Sequence, residues 1–252
     1  MTDASVTTRN IRVGTAGWSI PRASAHRFAP PGTHLERYAR SLQCAEINSS
    51  FYRPHAACTY VRWRESTPPD FQFAVKMPRT ITHELKLQDA RDPLIAFLEQ
   101  TDGLAHKRGP ILVQLPPSFS FDATIVAPFF DLVRTVYEGP VVCEPRHATW
   151  FSPEVASLLE RYRVSQVAAD PPPAPAAVAP AGWPGVAYFR LHGSPRKYWS
   201  RYDEGRIATL ADTVRSMPRA EDVWCVFDNT ASGAAIENAW QLHECLTSAP
   251  PP

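Results

Sequence analysis

Eight short runs rich in β-branched and aromatic residues recur along this chain, at 11–14, 44–48, 71–75, 111–115, 141–144, 164–169, 186–192 and 223–227. Nearly every run ends in charged or amide side chains, and most are separated by segments of helical pattern. Strand then helix, repeated at this length, implies a parallel sheet, and eight such units fit a closed (β/α)8 TIM barrel. An open doubly wound sheet would gather its polar residues at one or two switch points instead of at most strand ends. The expected fold class is therefore α/β, with all 252 residues in one TIM-barrel domain. Its core would run over about 11–246, with flexible ends at 1–10 and 247–252.

The intervening helices carry local signals. In 35–42, Leu35, Tyr38, Ala39 and Leu42 fall at i, i+3, i+4 and i+7, one apolar stripe. A short helix is expected at 59–66, and another at 93–105 with Asp92 as cap and Pro93 in the first turn. The segment 122–137 follows, and Ser152 before Pro153 marks the next N-terminus. The last two helices are expected at 202–217, helical at best in its second half, and at 231–246. After the sixth strand, 171–185 is rich in proline and alanine and reads as an irregular, weakly packed loop where a helix would otherwise stand.

Composition narrows the partners. Lys plus Arg is 26 and Asp plus Glu 25, a net charge of +1, so no global field points to nucleic acid or membrane and any anion site must be local. Five cysteines without a C-x-x-C pair, three of them (Cys44, Cys143, Cys225) in or beside strands, read as core residues of a reducing compartment. The first ten residues are polar and no run of about 18 apolar residues occurs, so a soluble, cytoplasmic protein without a membrane partner is expected. Gly14 and Gly17 form no phosphate fingerprint, lacking both a third glycine and a Lys-Ser/Thr pair.

In a barrel the strand C-termini share one mouth. That brings together Glu46, Asn48, Lys76, Gln114, Glu144, Arg146, His147, Asp170, Arg190, His192, Asp228 and Asn229. The stretch 141–150, an apolar strand ending in Glu144, Arg146 and His147, is the centre of this set. Interleaved carboxylates and cations make either a self-neutralising network or a functional site. His83 lies in a loop, and Trp18, Tyr52 and Trp150, with Phe51, Tyr198, Trp199 and Tyr202, flank the strand ends as candidate aromatic walls.

Several segments taken in order resemble the YecE-like family, a domain of unknown function. They are Gly14-Thr15-Ala16-Gly17-Trp18-Ser19, Glu46 to Arg53 (EINSSFYR), Phe73-Ala74-Val75-Lys76, Ile81-Thr82-His83, Gln114 to Phe119 (QLPPSF), Glu144-Pro145-Arg146-His147 with Trp150, Arg190-Leu191-His192-Gly193 and Phe227-Asp228-Asn229. The resemblance runs from about Ile11 to Leu246 and implies a TIM barrel but no reaction. Asp228 stands where that family usually has Asn, and the segment after Trp18 lacks its Trp-x-Gly-x-Phe-Tyr-Pro form.

Three functions compete. The first is an enzyme acting by acid/base chemistry on a small anionic, hydroxyl-rich substrate such as a sugar phosphate. Glu46, Glu144, His147 and His192 are its catalytic candidates, Lys76, Arg146 and Arg190 its anion holders, and the remaining mouth residues contact substrate. Hydrolase, isomerase and lyase chemistry all fit. No cofactor and no metal ligand set is assigned to it. The second is a divalent-metal hydrolase of phosphoesters or nucleic acid, with ligands drawn from Glu46, His83, Glu144, Asp170, His192 and Asp228, although no H-x-H or H-E-x-x-H spacing occurs. The third is a non-catalytic nucleic-acid or phosphate-binding module, against which the near-neutral charge argues. Oligomeric state is left open. Two geometric expectations follow: Glu46, Glu144 and Arg146 share one cavity, and Lys76, Arg146 and Arg190 converge with Glu144 and Asp170 offsetting their charge.

Overall fold

Side chains alternate along a strand, so each run presents one row inward and one outward, and in a barrel wrapped by helices both rows are buried. The computed structural model, which describes residues 10–217 and 222–248, has this arrangement. Its strands are β1 (Asn10–Ala16), β2 (Cys44–Ile47), β3 (Gln72–Lys76), β4 (Arg108–Gln114), β5 (Val141–Glu144), β6 (Val164–Gln166), β7 (Ala168–Asp170), β8 (Ala181–Gly182), β9 (Val186–Leu191) and β10 (Asp222–Phe227). β1 to β6 pair in sequence as parallel neighbours, β7 pairs with β9, β9 with β10, and β10 with β1.

One residue, Val167, separates β6 from β7, and its N–H donates to Cys143 O at 2.9 Å. The segment 164–170 is thus the sixth barrel strand, bonded to β5 by its first half and to β9 by its second. The ring of eight parallel strands closes through it. The TIM barrel expected from the alternation is the fold found.

Around the ring lie α1 (His34–Ala39), α2 (Ala57–Glu65), α3 (Arg91–Thr101), α4 (Ala123–Val136), α5 (Pro153–Arg161), α6 (Glu204–Ser216) and α7 (Ala234–Thr247). Ser152 caps α5 by accepting from Val155 N–H at 3.4 Å, as its position before Pro153 indicates. Asp122 likewise caps α4 by accepting from Thr124 N–H at 2.9 Å. The expected cap Asp92 is a correction: α3 begins two residues earlier behind Ala90, which supplies no side-chain bond, and Asp92 lies in the first turn. There a carboxylate still complements the helix dipole. α6 is helical throughout 204–216 and is capped by Asp203, so the expectation of a half-formed helix there is also corrected.

The proline-rich segment does stand in place of a helix, but it is pinned more firmly than expected. Residues 175–178 make a 3-10 turn that buries Ala177, and β8 pairs antiparallel with β6. Ser165 Oγ donates to Trp183 O at 2.7 Å behind it. Of the ends read as flexible, 1–9 and 249–252 lie outside the described residues, while Asn10 belongs to β1 and Thr247 to α7.

Two apolar clusters follow from the two rows. Outward side chains such as Val13, Phe73, Val113, Cys143, Phe189 and Phe227 pack against the helices. Inward ones, Cys44, Ala74, Leu112, Val142, Val167, Val186, Tyr188, Trp224 and Val226, fill the barrel. Trp224 reaches across its lower end, where a Cβ on Gly109 would lie 2.6 Å from the indole, so only glycine fits beneath that ring. All five cysteines are free. Among the described residues no helix is long and apolar enough to cross a membrane.

Candidate functional site: a charged layer at the barrel mouth

The inward row that is apolar lower in the barrel becomes charged at the strand C-termini. Glu46 follows Cys44, Lys76 follows Ala74, Gln114 follows Leu112, Glu144 follows Val142, Arg190 follows Tyr188 and Asp228 follows Val226, each two residues on. All six are buried. Such a layer persists only if its charges satisfy one another or a ligand.

Arg190 is the hub. Its Nε and Nη2 donate to the two oxygens of Glu46 at 3.0 and 2.7 Å, its Nη1 to Glu144 Oε2 at 3.1 Å, and its Nη2 lies 2.9 Å from Asp228 Oδ2. Tyr188 OH also donates to Glu46 Oε2 at 3.0 Å. Burial disfavours the guanidinium's charge, but Asp228, Glu46 and Glu144 outweigh that and hold its pKa well above the usual value. Burial would likewise raise the Glu144 carboxyl, yet Arg190, Arg146 and His192 keep it well below the carboxylate range. Asp228 is lowered in the same way, against burial, by Arg190 and His192.

His192 continues the inward row of β9 by one step. Its Nε2 lies 2.9 Å from Glu144 Oε1 and its Nδ1 3.1 Å from Asp228 Oδ2. An imidazolium donates to both carboxylates, whereas a neutral ring donates to only one. Arg146, two residues past Glu144, donates from Nε to Glu144 Oε1 at 3.1 Å and from Nη1 to Tyr198 OH at 2.9 Å. Tyr198 sets its ring edge-on to His192, with centroids 5.4 Å apart, and so lies against the layer's outer side.

Lys76 differs from the other cations. It is 5% exposed, and among the described residues its ammonium makes no hydrogen bond or ion pair. It stands over the Phe51 ring, 4.0 Å from the centroid. The amine is not fully enclosed, so part of its surface remains accessible. Burial, reinforced by Arg190 and opposed by Glu46, Glu144 and Asp228, lowers its pKa to about 8. His83 packs edge-on against the same Phe51 ring at 4.9 Å and shares Nδ1 with Thr82 Oγ1 at 2.9 Å. Its pKa is lowered by burial and by the cations Lys76, Arg79 and Arg146.

Glu46, Glu144, Arg146, Lys76, Arg190, His192 and Asp228 therefore converge as expected, with Gln114 beside them donating to Leu115 O at 3.1 Å. Asn48, on the inward parity after Glu46, keeps an enclosed Oδ1 without a partner. Other expected residues lie elsewhere, and parity explains two of them. Asp170 falls on the outward row of the sixth strand, since Val167 points in and Ala168 out, and it pairs with Arg206 of α6. It offsets none of the mouth's cations. Asn229 falls outward after Phe227 and donates to Ser200 O at 2.9 Å and Asn238 Oδ1 at 3.0 Å, tying a loop to α7.

His147 turns out of the layer. Its Nδ1 accepts from Thr149 N–H at 3.3 Å and caps the 3-10 turn at 148–150. Trp150 is fully buried, donates Nε1–H to Phe119 O at 2.9 Å and packs on Phe121, making it core and not a wall. Trp18 packs edge-on against Trp63 and Phe73 on the barrel's outside. Tyr52 is 70% exposed with its ring against Phe51. Tyr188 is the site residue absent from the sequence candidates, whereas Phe51 and Tyr198, expected as aromatic walls, do stand at the layer. The alternation Tyr188, Arg190, His192 is the signal that places the first. Tyr198 comes from a loop held by N–H to His192 O, which no local pattern announces.

Known proteins bear on this geometry. The chain is 36% identical over 109 residues to the UPF0759 protein YecE of Escherichia coli strain K12, a match spanning 43% of this chain and only 39% of that protein. It is 24% identical over 270 residues, covering 94% of each, to the UPF0759 protein YunF of Bacillus subtilis strain 168. A solved DUF72 family protein from Thermotoga maritima superposes with a TM-score of 0.80 at 26% identity, covering 95% of this chain and all of that one. One from Enterococcus faecalis superposes at 0.79 with 23% identity, covering 96% and 100%. The family model for the protein of unknown function DUF72 matches residues 12–252, and this chain belongs to that family.

Proposed function

We propose that the chain is an enzyme that binds a small anionic, hydroxyl-bearing substrate over Lys76 and acts on it by proton transfer. The observation that carries this reading is a buried cation without a partner. Arg190, Arg146 and His192 are the groups in contact with Glu46, Glu144 and Asp228, which leaves Lys76 in a buried layer without a carboxylate at ion-pair distance. An unmatched buried ammonium is costly, and an anionic ligand relieves that cost. Lys76, half-buried His83 and Arg146, whose side chain is 15% exposed, are the groups that would meet it. Arg190, enclosed by three carboxylates, would position Glu46 and Glu144 rather than touch substrate.

Asn48 Oδ1, enclosed and unpartnered, supports a hydroxyl donor on the same ligand. An amine whose pKa lies near 8 exchanges protons close to neutral pH, as an acid/base catalyst must. The divalent-metal reading draws less support. Glu46, Glu144 and Asp228 each give an oxygen to Arg190, and among the described residues no group of three His, Cys, Asp or Glu is set to hold a metal.

The test is thermal stability in millimolar phosphate, a sugar phosphate or chloride at equal ionic strength, with turnover of a sugar-phosphate panel followed by NMR in D2O. A ligand that binds only the folded state stabilises it by mass action. Phosphate should raise Tm above chloride in the wild type and not in Lys76→Met, and panel turnover or solvent proton exchange should fall at least 100-fold in that variant. Equal Tm values in phosphate and chloride for the wild type would overturn the anion site.

A further inference from the structure

Among the cations of the mouth, Lys76 is set apart by geometry, and what geometry withholds from it is a partner. A lysine kept for charge balance would reach Glu46, Glu144 or Asp228 as Arg190 does, with oxygens 2.7 to 3.1 Å away. Lys76 instead lies over an aromatic face, with no acceptor bound to its three donor positions among the described residues. Its nitrogen is held at the end of β3 by a stem buried within the barrel and keeps part of its surface accessible. A nitrogen so held is positioned as a nucleophile.

We propose that Lys76 is the nucleophile of this mouth and condenses with the carbonyl group of an anionic aldehyde or ketone to form a Schiff base, with Arg146 holding the substrate's anionic group. This rests on the anion-site reading and names its substrate class. The ammonium first sheds a proton. The amine lone pair forms the N–C bond while the C–O π pair moves to oxygen, and a proton passes from nitrogen to oxygen to give the carbinolamine. The proton first shed then returns to that hydroxyl, which leaves as water as the nitrogen lone pair closes the C=N bond. Ammonium plus carbonyl gives protonated imine plus water, so charge is conserved and no oxidant or reductant is needed.

The surroundings suit each part of this. The protonated imine carries the same single charge as the ammonium, so the layer's balance with Glu46, Glu144 and Asp228 is unchanged. His83 shares the Phe51 ring with Lys76 and has Nδ1 engaged by Thr82, which leaves Nε2 to carry the shed proton. Around Lys76 stand Arg190 from β9, Glu46 from β2, Glu144 from β5 and Asp228 after β10, with His83 beside it. Burial together with Arg190 leaves about half of the amine neutral near pH 8. An ordinary lysine, with a pKa of about 10.4, is then less than roughly 1% neutral.

The chain offers internal controls, since its lysines are only Lys76, Lys86, Lys107 and Lys197. Full-length protein is incubated at pH 8 with pyruvate, dihydroxyacetone phosphate or glyceraldehyde 3-phosphate and reduced with borohydride. Adducts are located by peptide mass spectrometry. Lys76 should be trapped at least tenfold faster than Lys86 and Lys197, with a pH midpoint near 8. Lys76→Arg, with an unchanged melting temperature as its folding control, should lose that adduct. Labelling of Lys76 no faster than of the exposed lysines with all three probes overturns the Schiff base. Phosphate stabilisation without a Lys76 adduct leaves the anion site standing and removes the nucleophile. An adduct from pyruvate without any phosphate stabilisation keeps the nucleophile and removes the phosphate-type anion site, and the absence of both removes both.

Discussion

Glu46 shows how much one side chain at a strand end can carry. It accepts two bonds from Arg190 and one from Tyr188, all inside the barrel. Replacing it with alanine leaves a buried phenol and the guanidinium Nε without an acceptor, while Glu144 and Asp228 still hold the other two nitrogens. Breaking a buried pair from one side costs about 3–5 kcal/mol, because the remaining charge has no solvent to turn to. Glu46→Ala should therefore lower the denaturant midpoint by up to that equivalent at unchanged m-value, and adding Arg190→Met should deepen the loss, because it leaves Glu144 and Asp228 without their shared cation. A single variant within about 1 kcal/mol of wild type would show that the pair is not the barrel's internal tie. His147, a catalytic candidate from sequence, uses its Nδ1 to cap a turn. The difference between the two residues is parity and reach, not residue type.

At the scale of elements, the least regular segment is the most informative. Residues 171–185 contain no α-helix, yet β8 joins them to the sixth strand and Gly182 makes that junction possible. Gly182 has φ +69°, and a Cβ there would come within 2.7 Å of Val164 O, a backbone atom that cannot give way. Gly182→Ala should destabilise the protein by about 1–3 kcal/mol, the sum of an unfavourable backbone region and that contact. Chemical denaturation measures it, and limited proteolysis should show faster cutting within 171–180 than in wild type. A neutral substitution with unchanged cutting would mean β8 is not what holds the segment. Proline content marks this region as non-helical, but the antiparallel bridge is a long-range pairing that composition does not encode.

For the molecule as a whole, the charged layer makes stability depend on pH with a definite sign. Glu144 and Asp228 have folded-state pKa values below their unfolded ones. Their contribution is therefore complete above the unfolded carboxylate values of about 4 and is lost as pH falls through the folded values. Unfolding free energy should fall gently below about pH 6.5, because His83 with its lowered pKa takes up a proton more readily when unfolded, and then drop more steeply on acidification below about pH 4. In Asp228→Asn, which removes one of these carboxylates, the drop should be shallower. A wild-type profile flat down to pH 2.5 would contradict the ion network.

The alternation of apolar strand-like runs with helical segments was enough to determine the eight-stranded ring. A strand buried on both faces and a helix buried on one leave different periodic traces in a sequence. It also determined which side chains end the strands, and strict period two would have turned Asp170 and Asn229 outward from the start. Partners were beyond it. Glu46, Glu144 and Asp228 come from three strands far apart in the chain and meet on Arg190 only because the barrel closes through Val167. Tyr198 reaches Arg146 from a loop whose path is set by contacts with His192 and Ala231. That Lys76 is left without a carboxylate is likewise a tertiary outcome. Local alternation fixes the direction in which a side chain points, whereas the charge it meets depends on strand register and closure of the ring, which are settled by packing across the whole fold.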